Sequence, residues 1–194
     1  MVKTISNKSK TIKINLIDKI LPQTHCKECG YDSCEPYATA IINKSEKITK
    51  CSPGGKKVIK DISKIIEKEI DNNELKKIEE SPPQLVSIIE DECIGCGLCL
   101  PKCPIDAIAG SKKFLHTIIS DECSGCNLCI ESCPVDCIVI VPRPTHLEWN
   151  FEKSNISRQK YKEKIEKSIK KKMHLSDKSR LSTLKRNLSR LNFE

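Results

Sequence analysis

The stretch Asp91-Glu-Cys-Ile-Gly-Cys-Gly-Leu-Cys-Leu-Pro-Lys-Cys-Pro104, running on as IDAI to Ile108, returns as DECSGCNLCIESCPVDCI from Asp121 to Ile138. Each copy reads Cys-x2-Cys-x2-Cys-x3-Cys-Pro, and the offset is 30 residues at every cysteine. Residues 84–113 and 114–143 are therefore two repeats of one unit. Short apolar segments flank them: LVSII from Leu85, FLHTII from Phe114 and CIVIV from Cys137. These predict edge strands of a small two-fold domain.

The cysteine spacing is that of the bacterial ferredoxin run, in which the fourth cysteine of each run ligates the other of two clusters. Three cysteines at short spacing wrap one face of an iron–sulfur cube. The fourth, expected at the start of a short helix pointing away, reaches the neighbouring cube. The assignment is Cys93, Cys96, Cys99 and Cys133 for one [4Fe-4S] cluster, and Cys103, Cys123, Cys126 and Cys129 for the other. Gly95, Gly97 and Gly125 are expected to let the loop backbone approach the cluster, and Pro104 and Pro134 to end the loops. Structural zinc prefers two Cys-x2-Cys pairs set further apart, which this pattern is not. Cys137 stands where the first repeat has Ala107, so packing is its expected role.

Upstream, His25-Cys-Lys-Glu-Cys-Gly-Tyr-Asp-Ser-Cys34 carries three more cysteines, and Cys51 follows. Four thiolates at Cys26, Cys29, Cys34 and Cys51 suit either tetrahedral zinc or a cubane. Two helices are predicted around them. One follows Pro36, which suits a first helical position. The other runs through KKVIKDISKIIEKEI, with Val58, Ile59, Ile62, Ile65, Ile66 and Ile70 at helical spacing. Residues 1–8 read as a polar leader of a 9–70 domain, with only weak periodicity through residue 20. Residues 71–83 read as a flexible linker, irregular because of its prolines and charges. That linker suggests a swinging or docking relay between the two cysteine-bearing units. Residues 144–194 read as a basic tail of one or two helices, or partly disordered. The fold class expected is α+β: a small helical iron–sulfur domain, a two-cluster ferredoxin domain, then the tail.

Composition agrees with a chain stapled by metal. Of 194 residues, 38% are hydrophobic and 4% aromatic, too few for a large apolar core. Thirteen cysteines, an odd number, fit ligation better than a disulfide framework. Residues 151–194 hold 14 Lys/Arg against 5 Asp/Glu, while residues 1–150 carry a net charge of −1. A tail so basic suggests an anionic contact. Its few aromatic residues speak against base stacking, so no nucleic acid is expected. No acid, base, nucleophile or phosphate loop is grouped as in a substrate pocket. His25 is expected at the surface or beside the first ligand, and His116, His146 and His174 in solvent. Tyr31 and Tyr37 are expected to shield the early cysteines, and Trp149 to pack where the ferredoxin meets the tail.

The residues LPQTHCKECGYDSCEPYATAI and CSPGG, followed by a proline-containing linker and a two-cluster ferredoxin, closely resemble the B subunits of bacterial Rnf electron-transport complexes. The resemblance runs over residues 9–143. It implies that Cys26, Cys29, Cys34 and Cys51 hold a third [4Fe-4S] cluster. It also implies an electron-transfer subunit of a membrane complex coupling ferredoxin and NAD to ion translocation. Other subunits and a redox protein donor or acceptor would be its partners. Members of this family usually begin with an apolar membrane helix. This chain shows no such run, so a peripheral position at the cytoplasmic face of the inner membrane is expected. A free soluble polyferredoxin is the competing reading.

Overall fold

In the computed structural model, residues 2–78, 80 and 82–191 are described, with side chains from residue 8 to 178 apart from 79 and 81. Strands β1 (Gln84–Ile88), β2 (Ile108–Ala109), β3 (Thr117–Ile118) and β4 (Ile138–Pro142) form two antiparallel pairs. β1 pairs with β4, placing Ile88 opposite Ile138; β2 pairs with β3, placing Ile108 opposite Ile118. A shift of 30 converts one pair into the other. The opening strand of each repeat lies on the closing strand of its partner, the same exchange that the cysteine runs predict. The segment from Phe114 supplies only a two-residue strand.

Gly125 and Gly95 show how tightly the repeats interlock. Both have positive φ, +72° and +66°. A Cβ on Gly125 would lie 2.3 Å from the Gln84 carbonyl oxygen, and one on Gly95 would lie 2.8 Å from that of Phe114. What these glycines admit is the backbone of the opposite repeat. The fourth cysteines also differ from expectation. Cys103 and Cys133 end the 3₁₀ turns Leu100–Lys102 and Ile130–Ser132 rather than starting helices. Such turns are tight and short.

The early unit consists of α1 (Val2–Ile20), α2 (Cys34–Lys44) and α3 (Gly55–Ile66). Its core holds Ile17, Leu21, Tyr37, Ala38, Ile41, Cys51 and Ile62. The polar leader and weak periodicity are thus corrected: residues 2–20 are helical. Ile14, Ile17 and Leu21 fall at i, i+3 and i+7 and face inward, while exposed Ile12 and Leu16 blur the stripe. α2 begins at Cys34, so Pro36 is its third residue rather than its first. α3 stops at Ile66 because Glu67 turns left-handed, which leaves Ile70 outside it.

The segment 71–83 is also more ordered than its composition suggests. Asp71 caps a short helix α4 (Asn72–Lys76) by accepting from the Asn73 amide, and Leu75 is buried. Glu80 accepts from the Lys56 amide at the start of α3, a favourable place for negative charge. Residues 79 and 81 of this linker lie outside the described residues.

The tail is one helix, α5 (Phe151–Leu191). Its first turns fasten the two units together. Trp149, just before it, donates to the Pro22 carbonyl at 2.7 Å, and Ser157 donates to that of Gln23 at 2.6 Å. Arg158 pairs with Asp18 at 3.1 Å. On the ferredoxin side, Lys153, Lys160 and Lys164 pair with Asp121, Glu122 and Asp106. These contacts replace the swinging relay with a clamped pair of units. Beyond Ile165 the described side chains of α5 are exposed.

Candidate metal centres

The structure brings the cysteines together in three sets. One small cavity is lined by Cys93, Cys96, Cys99 and Cys133, with Ile88, Ile138, His116 and Cys137 in its walls. A second is lined by Cys103, Cys123, Cys126 and Cys129, with Val86, Ile108 and Ile118. Each therefore takes three cysteines from one repeat and the fourth from the other. In the early unit Cys51 is pushed up first by burial and then by the neighbouring charge of Cys34, and further by Cys26 and Cys29.

Burial is the largest influence on several of the thiols. It pushes Cys34 and Cys129 up to about 12 and Cys126 to about 11. Backbone amides work against it. Cys34 faces the N–H groups of His25 and Gln23, and Cys51 that of Gly54. Cys103 faces those of Ile105 and Ala107, the latter at 3.2 Å. Hydrogen bonds to sulfur favour the thiolate, which is the form that binds metal. Filling such a site releases protons.

The donor sets suit an iron–sulfur cube. A single zinc ion draws four sulfurs to about 2.3 Å from one point. In the ferredoxin unit the sulfurs instead border cavities with aliphatic walls and inward-facing amides, the surroundings such clusters use.

Two of the four histidines depart from expectation. His116 is 1% exposed, not solvated, with Nδ1 3.4 Å from Cys93 Sγ. His25 is 3% exposed, which excludes the surface position, and its ring stacks on Tyr161 at 4.0 Å. Burial, then the Arg158 charge, lowers its pKa to about 4 and keeps it neutral. His146 and His174 are exposed. Tyr37 is buried against Cys51 and donates to the Lys47 carbonyl, and Tyr31 lies 5.6 Å from it, ring to ring. Cys137 is buried 3.4 Å from Cys133 Sγ, so it borders the cavity as well as packing.

Several residues that shape the centres carry no clear sequence signal. Arg143 is buried and donates to the carbonyls of Cys123, Gln84 and Leu147, although burial works against its charge. Lys164 donates to the Cys103 and Leu100 carbonyls. Ser124 donates to the Thr24 carbonyl at 3.1 Å, which joins the loop of the early set to that of the second ferredoxin set. The cleft between the two units, bordered by Leu21, Pro22, Val58 and Trp149, is lined by none of the cysteines.

Comparison with known proteins agrees on the chemistry. Residues 86–140 match the 4Fe-4S dicluster domain family, and residues 21–53 match an Fe-S cluster family. Curated relatives, each named as the B subunit of an ion-translocating oxidoreductase complex, include those of Escherichia fergusonii, Buchnera aphidicola and Pseudomonas aeruginosa. The first is 42% identical over 104 residues, covering 53% of this chain and 54% of the relative. The second is 41% identical over 104 residues, covering 53% and 62%. The third is 46% identical over 100 residues, covering 52% of each. The chain thus spans little more than half the length of these relatives. No solved structure matches it. No helix among the described residues is long and apolar enough to cross a membrane. By its iron–sulfur domains and these identities, the chain is a relative of the B subunits of ion-translocating oxidoreductase complexes.

Proposed function

We propose that this chain is the iron–sulfur relay of an ion-translocating oxidoreductase complex, with three [4Fe-4S] clusters. Cys26, Cys29, Cys34 and Cys51 would hold the first, Cys103, Cys123, Cys126 and Cys129 the second, and Cys93, Cys96, Cys99 and Cys133 the third. Such clusters supply one-electron chemistry when bound. The observation that carries the reading is the order of the cysteine sets. The early loop touches the second set through the Ser124–Thr24 bond, and the second set shares a core with the third.

The chain's own residues prepare each centre. Ile, Val and Tyr side chains keep water from the sulfurs. Amides at Ile105, Ala107, His25 and Gly54 point toward thiolates whose charge grows on reduction. Arg143 and Lys164 place positive charge beside Cys123 and Cys103. Electrons would pass between ferredoxin and NAD through partner subunits, which would move the ion. Moving one charge against 100 mV takes about 2.3 kcal/mol, the energy of one electron falling through about 100 mV. The chain would lie peripherally at the cytoplasmic face of the inner membrane, held by those partners.

Iron, sulfide and zinc analysis of anaerobically purified protein, with EPR of the reduced form, tests the cofactor count. About twelve irons and three reducible centres are expected. About eight irons with one zinc would remove the early set from the relay.

A further inference from the structure

The repeat provides a comparison inside one domain. Ile88 and Ile138 in one cavity wall correspond to Ile118 and Ile108 in the other. Correspondence fails at His116, which stands where the other cavity has Val86, and at Cys137, which stands where it has Ala107. Valine fills its place with hydrocarbon alone. His116 is equally buried yet brings two ring nitrogens, of which Nδ1 meets Cys93 Sγ and Nε2 has no partner. An unpaired buried polar atom is destabilising. Packing therefore gives no reason for histidine here. Gly110 makes room for it: a Cβ there would come within 2.6 Å of the His116 ring.

We propose that His116 is a positioning residue for electron transfer. Its Nδ1–H donates to Cys93 Sγ and holds the reduction potential of the centre on Cys93, Cys96, Cys99 and Cys133 above the value it would have with valine there. This rests on the reading that these four cysteines hold a [4Fe-4S] cluster. A ligating thiolate offers only lone pairs, so the shared proton belongs to Nδ1. Reduction adds one electron, delivered by a one-electron donor such as a reduced neighbouring cluster. No bond is made or broken, and the proton stays on Nδ1. The hydrogen bond strengthens as negative charge builds on sulfur, which favours the reduced state. Val86 offers no such bond, so His116 is one of the side chains that make the two ferredoxin centres inequivalent.

EPR-monitored redox titration of the full, anaerobically reconstituted chain tests this with His116→Val and His116→Gln. The wild type is expected to show three reducible centres. The valine variant is expected to move one midpoint to more negative potential and leave two in place. The glutamine variant, which retains an N–H donor, is expected to recover most of that shift. Three unmoved midpoints in the valine variant, or a glutamine variant matching the valine one, would overturn the role. If the valine variant loses the centre, the glutamine variant decides: a midpoint near wild type supports the hydrogen bond, and loss of the centre there too refutes it. A wild type lacking this centre would instead sink the cluster assignment itself.

Discussion

The two cysteine-bearing units are filled differently. The ferredoxin core has twelve buried residues, five of them cysteines, and its longest strands have five residues. The core of the early unit has seven buried residues, one of them cysteine, and draws the rest from three helices of 11 to 19 residues. A helix satisfies its own backbone and can bury an aliphatic stripe. Two-residue strands do neither. The ferredoxin unit is therefore expected to be the half whose fold depends more on metal, because five of its twelve core residues are cysteines and its strands are short. The early unit holds its four thiols on a scaffold that its own side chains support.

Stripping the iron is the largest disturbance that can break this comparison. Anaerobic chelation is expected to abolish hydrogen-exchange protection across residues 84–143 while residues 8–66 keep theirs. The far-UV helical signal should largely survive. Loss of protection in both units together, or in neither, would show that the two depend on metal alike.

A smaller disturbance tests the clamp between the units. Arg158 and Asp18 are mostly buried, with side chains 17% and 13% exposed, and Arg158 also donates to the Asp18 carbonyl at 2.5 Å. Removing a hydrogen-bonded charge of this kind costs about 1.5–3 kcal/mol. Arg158→Ala is expected to loosen α5 from α1 and slow electron transfer from the early centre to the ferredoxin centres. The three midpoints should move much less than the rate. Transfer at the wild-type rate with the units separated would restore a swinging relay.

How much of this is legible in the sequence follows from the same contrast. The ferredoxin unit is readable because ligation ties each cysteine to a fixed spacing, and the strand exchange follows the cysteine exchange. In the early unit the cysteines and α3 are readable, but α1 is not. Its buried stripe of Ile14, Ile17 and Leu21 is diluted by Ile12 and Leu16, which point outward. The clamp is hidden for another reason. Arg158, Ser157 and Ser124 look like ordinary surface residues until the fold brings them against Asp18, Gln23 and Thr24, more than 90 positions away. His116 passes for a solvated residue because nothing in FLHTII reveals that this segment runs over Cys93.

The smallest expected effect is a titration confined to the helical unit. Glu46 accepts from the Tyr31 hydroxyl at 2.7 Å and the Lys47 amide at 2.9 Å, and pairs with Lys50 at 3.0 Å. The Tyr31 bond first, then the amide and Lys50, lower its carboxyl to about 2. The unfolded chain regains the ordinary value near 4.5, so between these pH values it binds a proton that the folded chain does not. The Glu46 contribution is therefore fully present above about pH 4.5 and fades as pH falls toward 2. In metal-free protein, where only the helical unit should remain folded, Glu46→Gln is expected to lower the melting temperature slightly at neutral pH. That difference should shrink steadily below about pH 4.5. A constant difference down to about pH 2 would mean that the glutamine acts through shape and not through lost charge. No difference at neutral pH would place the Tyr31–Glu46–Lys50 contact among the surface ion pairs that contribute nothing measurable.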